Sequence, residues 1–222
     1  MGQEINQTQF DDQVFSEYRC RLSREIALLE EQLSHGIFSA IGEIGGYELE
    51  SWLVDHNYFP SPINQAFLTR LNNPLVVHEL SRFNVELNGA PMPLKGNALS
   101  AMAFELDQNW QECQEVAHQM DSVLMMIGIL PTVRQSDLCL ANMSELKRYR
   151  ALNEQVFKRR CGRPLRICIH GREHLDIVHP DVMLEAATTG STACCGIAPW
   201  PPVPRTVMVA LSELAIAKPG TA

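Results

Sequence analysis

Apolar positions along this chain change period several times, and each change marks an element. Leu22, Ile26, Leu29 and Leu33 recur at helical spacing among charged residues, which predicts a helix over residues 16–33, stopped at His35-Gly36. Residues 1–15 carry no period and read as a loose arm. Over residues 41–55 the period becomes two: Tyr47 and Leu49 alternate with Glu48 and Glu50, the signature of a strand. Asn57, Pro60 and Pro62 interrupt it, with a short helix expected over 64–71. A second strand is expected over 76–88, closed by Gly89, Pro91 and Pro93. Leu99, Met102, Leu106, Trp110, Cys113 and Ala117 then draw the stripe of a long helix, read over 97–126. A third strand is read over 127–134, entered through Gly128, and Met143-Ser144-Glu145 opens a helix to residue 160. Residues 165–170 and 174–178 flank Gly171-Arg172-Glu173 and predict a hairpin, with one more strand over 183–189.

The character changes at Gly190. The next fifteen or so residues, rich in proline and carrying Cys194-Cys195, follow neither period, and 206–217 reads as a short apolar helix. There is no internal repeat. Strands separated by helices of unequal length, plus a hairpin, predict an α+β fold with a largely antiparallel sheet and flanking helices. The chain divides into an N-terminal arm and helix (1–36), a main domain (37–189) and an atypical tail (190–222).

Composition narrows the classes. A chain of 222 residues, 45% hydrophobic and 20% charged, suits one domain with a substantial core. With 18 basic against 26 acidic residues the formal charge is -8, so no broad basic surface exists to attract nucleic acid. The N-terminus is polar and acidic, unlike a secretory signal, and the longest apolar run, 122–131, is too short for a bilayer, so no membrane partner is expected. Seven cysteines without a Cys-x-x-Cys pair do not make a disulfide framework and fit a reducing cytoplasm. His170, His174 and His179 cluster in sequence and read as exposed turn histidines.

Carboxylates then stand out against the apolar strands. Glu48 and Glu50 lie two apart, so a strand projects both from one face while Tyr47 and Leu49 point away. Two carboxylates about 4 Å apart repel by about 4 kcal/mol at an effective dielectric near 20, which raises a pKa or recruits a cation. Glu86 and Asn88 share one parity of the second strand, with Glu79 seven residues before Glu86. That odd offset puts Glu79 on the opposite face of a regular strand, so a shared site requires a bend around Ser81-Arg82. An isolated Glu-x-Glu is ordinarily a solvated sheet face, and Arg82 offers simple neutralisation. The alternative is a hard divalent cation, which takes oxygen ligands.

Four segments carry a family resemblance. Gly46-Tyr47-Glu48-Leu49-Glu50-Ser51-Trp52-Leu53-Val54-Asp55 resembles the first strand of the glutamate–cysteine ligase type 2 family, the carboxylate–amine ligases. His78-Glu79-Leu80 through Val85-Glu86-Leu87-Asn88 resembles that family's second acidic strand. Gly128-Ile129-Leu130-Pro131-Thr132 with Leu146-Lys147-Arg148-Tyr149, and Asp181 through Thr189, resemble later family segments in the same order. The similarity spans roughly residues 37–189. It implies a glutamine-synthetase-like sheet holding ATP and Mg2+. On that resemblance Glu48, Glu50, Glu79 and Glu86 become metal ligands, and Glu48, Glu50, Glu86 and Asn88 the cofactor-binding set. Arg134 and Arg148 become the basic residues nearest phosphate or carboxylate, with surface solvation as the plain alternative.

The implied reaction phosphorylates a carboxylate, glutamate or similar, which an amine such as that of cysteine then attacks. No Gly-x-x-x-x-Gly-Lys-Ser/Thr loop is present, which disfavours a P-loop enzyme. After Thr189 the chain departs from the family pattern: the expected histidine-bearing strand gives way to Gly190-Ser191-Thr192-Ala193-Cys194-Cys195. The expectation is a C-terminally incomplete ligase fold, whose unpaired sheet edge would favour a homo-oligomer. Its rival is a non-catalytic binding protein, or inactive fragment, that keeps the sheet as a scaffold.

Overall fold

Seventeen residues of extended chain, Phe38–Val54, form the axis of the fold. The computed structural model describes residues 4–199, with backbone alone at 39–41 and 191–199. In chain order the elements are α1 (Asp12–Ser34), β1 (Phe38–Val54), α2 (Asn64–Leu71), β2 (Val76–His78), β3 (Asn84–Asn88), β4 (Met92–Pro93), α3 (Ala98–Gln119), β5 (Val123–Met125), α4 (Lys147–Arg159), β6 (Leu165–His170), β7 (His174–His179) and β8 (Ser191–Pro199). Single 3₁₀ segments lie at Leu140–Asn142 and Val182–Ala187. Helices around antiparallel strands make this an α+β fold, as the hydrophobic pattern predicts.

β1 is paired along both edges. Glu48 faces Asn88 of β3 on one side and Thr192 of β8 on the other. Trp52 faces Asn84 of β3 and Met125 of β5. β4 continues the β3 edge opposite Ile44-Gly45, and β2 pairs with the outer edge of β3. Every one of these pairings is antiparallel.

The period of two then sorts the side chains. Leu49 and Leu53 of β1, with Val85 and Leu87 of β3, face α2 and α3, where Phe67, Leu71, Cys113 and Ala117 complete one core. Trp52 and Val54 point the other way, into a second core with Phe83, Leu130, Met143, Tyr149 and Met183. Trp52 stacks on Phe83, ring centroids 5.6 Å apart, and its indole N–H donates to the Ile127 carbonyl at 2.8 Å. This second face is therefore apolar at its Trp52 end and acidic at its Glu48–Glu50 end.

Several expectations are corrected. The strand expected over 76–88 is a hairpin of two strands: the chain reverses over residues 79–83, further than a bulge would turn it. The long helix stops at Gln119, because Asp121 takes φ 57 and redirects the chain into β5. β5 takes the place of the strand expected over 127–134, and residues 127–134 contribute a single bridge, Ile129 to Thr188. The strand expected over 183–189 is the 3₁₀ segment Val182–Ala187, capped by the Asp181 carboxylate and burying Val182, Met183 and Ala186. Main-chain pairing, which needs no side-chain alternation, carries residues 191–199 onto β1 as β8, so this stretch is a strand despite its irregular pattern. The helix read over 206–217 lies outside the described residues. The arm is not loose from Glu4 onward. Glu4 accepts from the Lys147 N–H at 2.6 Å, and Lys158 donates to the Phe10 carbonyl at 3.2 Å. His179 is buried, not exposed, with its ring nitrogens 2.9 Å from the Asp181 and Leu138 carbonyls.

Candidate metal centre

Strand register builds the centre. Glu50 and Glu86 are direct cross-strand partners on the acidic face. The reversal after His78 swings Glu79 onto the same side, so that one carboxylate oxygen from each of Glu50, Glu79 and Glu86 lies within 4.8 Å of the others. The bend that the Glu79–Glu86 offset requires is thus present. Glu48 sits one register step further along β1, opposite Asn88, and its charge acts on Glu86. It stands on the same face but outside the tight group of three. Asn88 is buried, donates to the Leu75 carbonyl at 3.2 Å and hydrogen-bonds Glu86.

The reversal is fixed by a buried polar network. Asn64, at the start of α2, directs its amide group at the Ser81 carbonyl (3.0 Å), the Asn84 carbonyl (3.2 Å) and Ser144 Oγ (2.9 Å). Ser144 donates in turn to the Glu79 carbonyl at 2.5 Å and, through its backbone N–H, to the Leu80 carbonyl. Ser81 Oγ donates to the Asn84 side chain. Buried hydrogen-bond networks favour one geometry, and here, with only the Asn84 Nδ2 left without a partner in the network, that geometry aims Glu79.

Two carboxylates are gripped by backbone. Leu80 N–H donates to Glu79 at 2.8 Å, and Gly190 N–H donates to Glu50 at 2.7 Å. Burial pushes the Glu79 carboxyl up to about 7, with the charges of Glu50 and Glu86 adding to the rise; the Leu80 N–H and Arg148 oppose it. Burial also raises Glu86, reinforced by Glu48 and Glu50 and opposed by the bond to Asn88. Oε1 of Glu86 is buried without a hydrogen-bond partner among the described residues. An oxygen-only donor set with an orphaned buried oxygen fits a hard divalent cation such as Mg2+.

Arg148 borders this group. Its guanidinium donates to the His78 carbonyl at 3.3 Å and to the Tyr149 hydroxyl at 2.8 Å, and its charge opposes the rise at Glu79. Tyr149 is buried, donates to the His78 carbonyl at 3.1 Å, and its phenol is raised by burial and by Glu79. Arg134 is engaged differently: it is exposed, 4.2 Å over the Phe59 ring, and no contact among the described residues joins it to the glutamates. Sequence reasoning missed Asn64 and Gly190. Neither carries a local signal, because one acts through a buried amide and the other through a backbone N–H.

An antiparallel sheet presents clustered glutamates on one face, beside the half-buried Arg148 and the buried Tyr149, and this is the geometry of a candidate cation site. The sequence pattern of glutamate-cysteine ligase family 2 (GCS2) matches residues 44–184, a span that contains every glutamate of the centre. The chain belongs to that family, and membership suggests a ligase. No curated protein matches the chain.

Proposed function

We propose that the chain is an ATP- and Mg2+-dependent carboxylate–amine ligase of the glutamate–cysteine ligase type. It joins a carboxylate substrate, glutamate or similar, to an amine such as that of cysteine, through an acyl-phosphate. The observation that carries this reading is the group Glu50, Glu79 and Glu86, brought together by register and reversal within the family-matched span. These three would hold the metal, with Glu48 and Asn88 completing the cofactor-binding face. When bound, Mg2+ supplies neutralisation of phosphate charge during phosphoryl transfer.

The chain's own residues do the rest by positioning. Leu80 and Gly190 N–H groups fix one oxygen each of Glu79 and Glu50, leaving little reorganisation for binding. Arg148 stands on rigid α4 next to Glu79, where a guanidinium suits an anionic substrate group. Isothermal titration of ATP with Mg2+ tests the site. Binding should weaken by at least about tenfold in Glu50→Ala and Glu86→Ala, as loss of metal-site residues does. Equal binding by wild type and both variants sinks the proposal. Amine-dependent ADP release then tests turnover, and binding without release leaves the non-catalytic alternative.

A further inference from the structure

A second cluster of metal-ligating side chains lies far along the chain from the glutamates, on the hairpin β6–β7. Its strands pair antiparallel in strict register: His170 faces His174, Ile169 faces Leu175 and Cys168 faces Asp176. Because side chains alternate between faces, Cys168, His170, His174 and Asp176 share one face, while Ile169 and Leu175 take the other. The turn is closed by Gly171 N–H donating to the Glu173 carbonyl at 3.1 Å.

On the shared face the imidazoles meet. The His170 and His174 Nδ1 atoms are 3.1 Å apart with ring centroids 4.5 Å apart, and Cys168 Sγ lies 3.4 Å from His170 Nε2. One donor atom from each of the three lies within 4.8 Å of the others. Bond lengths to tetrahedral zinc place two nitrogen ligands about 3.3 Å apart and a nitrogen and a sulfur about 3.5 Å apart. A metal takes one ring nitrogen from each histidine, so either the His170–His174 pair or the His170–Cys168 pair stands at such a separation, while one donor atom from each of the three residues lies within 4.8 Å of the others. All three are exposed, so an ion reaches them from solvent.

We propose that Cys168, His170 and His174 form a binding site for a borderline-soft divalent metal, with Zn2+ as the matching ion. The donor set decides the class. Thiolate and imidazole select zinc and disfavour magnesium, the reverse of the glutamate centre. Asp176 is held by Arg166, whose Nε donates to it at 2.7 Å, so the fourth position falls to water. The site also has a physical role to fill. β6 and β7 form a two-stranded sheet of their own with most side chains exposed, and such a hairpin is marginally stable unless something ties it. A metal bridging both strands beside the turn ties it.

Titration of the full chain with Co2+, a spectroscopic stand-in for Zn2+, tests this. The expected result is the visible absorption of four-coordinate cobalt with a thiolate-to-cobalt charge-transfer band, both removed by added Zn2+ and neither by Mg2+. Cys168→Ser should abolish the charge-transfer band, and His170→Ala and His174→Ala should each weaken cobalt binding by about tenfold or more. The exposed cysteines Cys20 and Cys161 serve as controls: serine at either should leave the band intact. The variants lie on an exposed hairpin outside both cores, and unchanged circular dichroism confirms that each still folds. Absence of the band in wild type, persistence of the band in Cys168→Ser, or unchanged affinity in both histidine variants overturns the proposal. Because Glu50→Ala should bind cobalt here as wild type does, failure of this site and failure of the magnesium reading are separable.

Discussion

Glu79 concentrates the tension of the site at a single residue. Its carboxyl stands at about 7 in the fold against an ordinary 4.5, chiefly because it is buried and faces two other carboxylates. A raised carboxyl opposes folding once the unfolded chain ionises. The loss begins as pH rises through about 4.5, is complete just above about 7, and amounts to about 3 kcal/mol. Metal-free Glu79→Gln should therefore be more stable than wild type at about pH 8, by up to about 3 kcal/mol, and converge with it near pH 4. Urea unfolding with chelator measures this; a wild type that does not fall relative to the variant over that window refutes it. Magnesium should then restore wild type and leave the variant unmoved. The carboxylates themselves were legible in the sequence, since strand alternation put Glu48 with Glu50 on one face of the first strand and Glu86 with Asn88 on one face of the second, and the family resemblance joined the two pairs. Their separation into a tight trio with Glu48 outside was not, because it depends on which residue the reversal brings opposite Glu50.

Between elements, the reversal joining β2 to β3 carries the centre, and Asn64 of α2 carries the reversal. Asn64→Ala takes the side-chain donor from the Asn84 carbonyl, a loss of about 1–3 kcal/mol, and leaves the Ser81 carbonyl with the Asn84 N–H alone. The variant should show a lowered urea midpoint and also Mg2+ affinity reduced about tenfold, although Asn64 touches none of the carboxylates. Lost stability with unchanged Mg2+ affinity would show that the network serves folding alone. The pattern of the chain gave α2 to the residue, because its apolar positions fall between clear breakers. It ran β2 and β3 together because three residues are too few to display a period of two. It extended α3 to 126 for a related reason: Val123, Leu124 and Met125 are apolar in any element, and only the left-handed backbone at Asp121 ends the helix.

At the scale of the whole molecule, β1 organises two unlike surfaces. One face is sealed by α2 and α3; the other is half core and half carboxylate. That division explains how a chain of formal charge -8 concentrates three acids at one spot: the Trp52–Phe83 core anchors the strand register that sets them opposite each other. The last consequence belongs to Gly190. Its N–H grips the Glu50 carboxylate and its carbonyl receives the Glu50 N–H at 2.9 Å, and directly after it the chain enters β8. Whatever orders Glu50 must also favour the docking of β8, and by thermodynamic reciprocity docking must favour the ligand. Amide hydrogen exchange should report this communication: Mg2+ should slow deuterium uptake along β8, and Glu50→Ala should abolish the slowing while leaving exchange in α3 unchanged. Equal protection in that variant would break the coupling. A strand that the local sequence pattern does not announce would then act as a reporter, readable in solution, of whether the glutamates are filled.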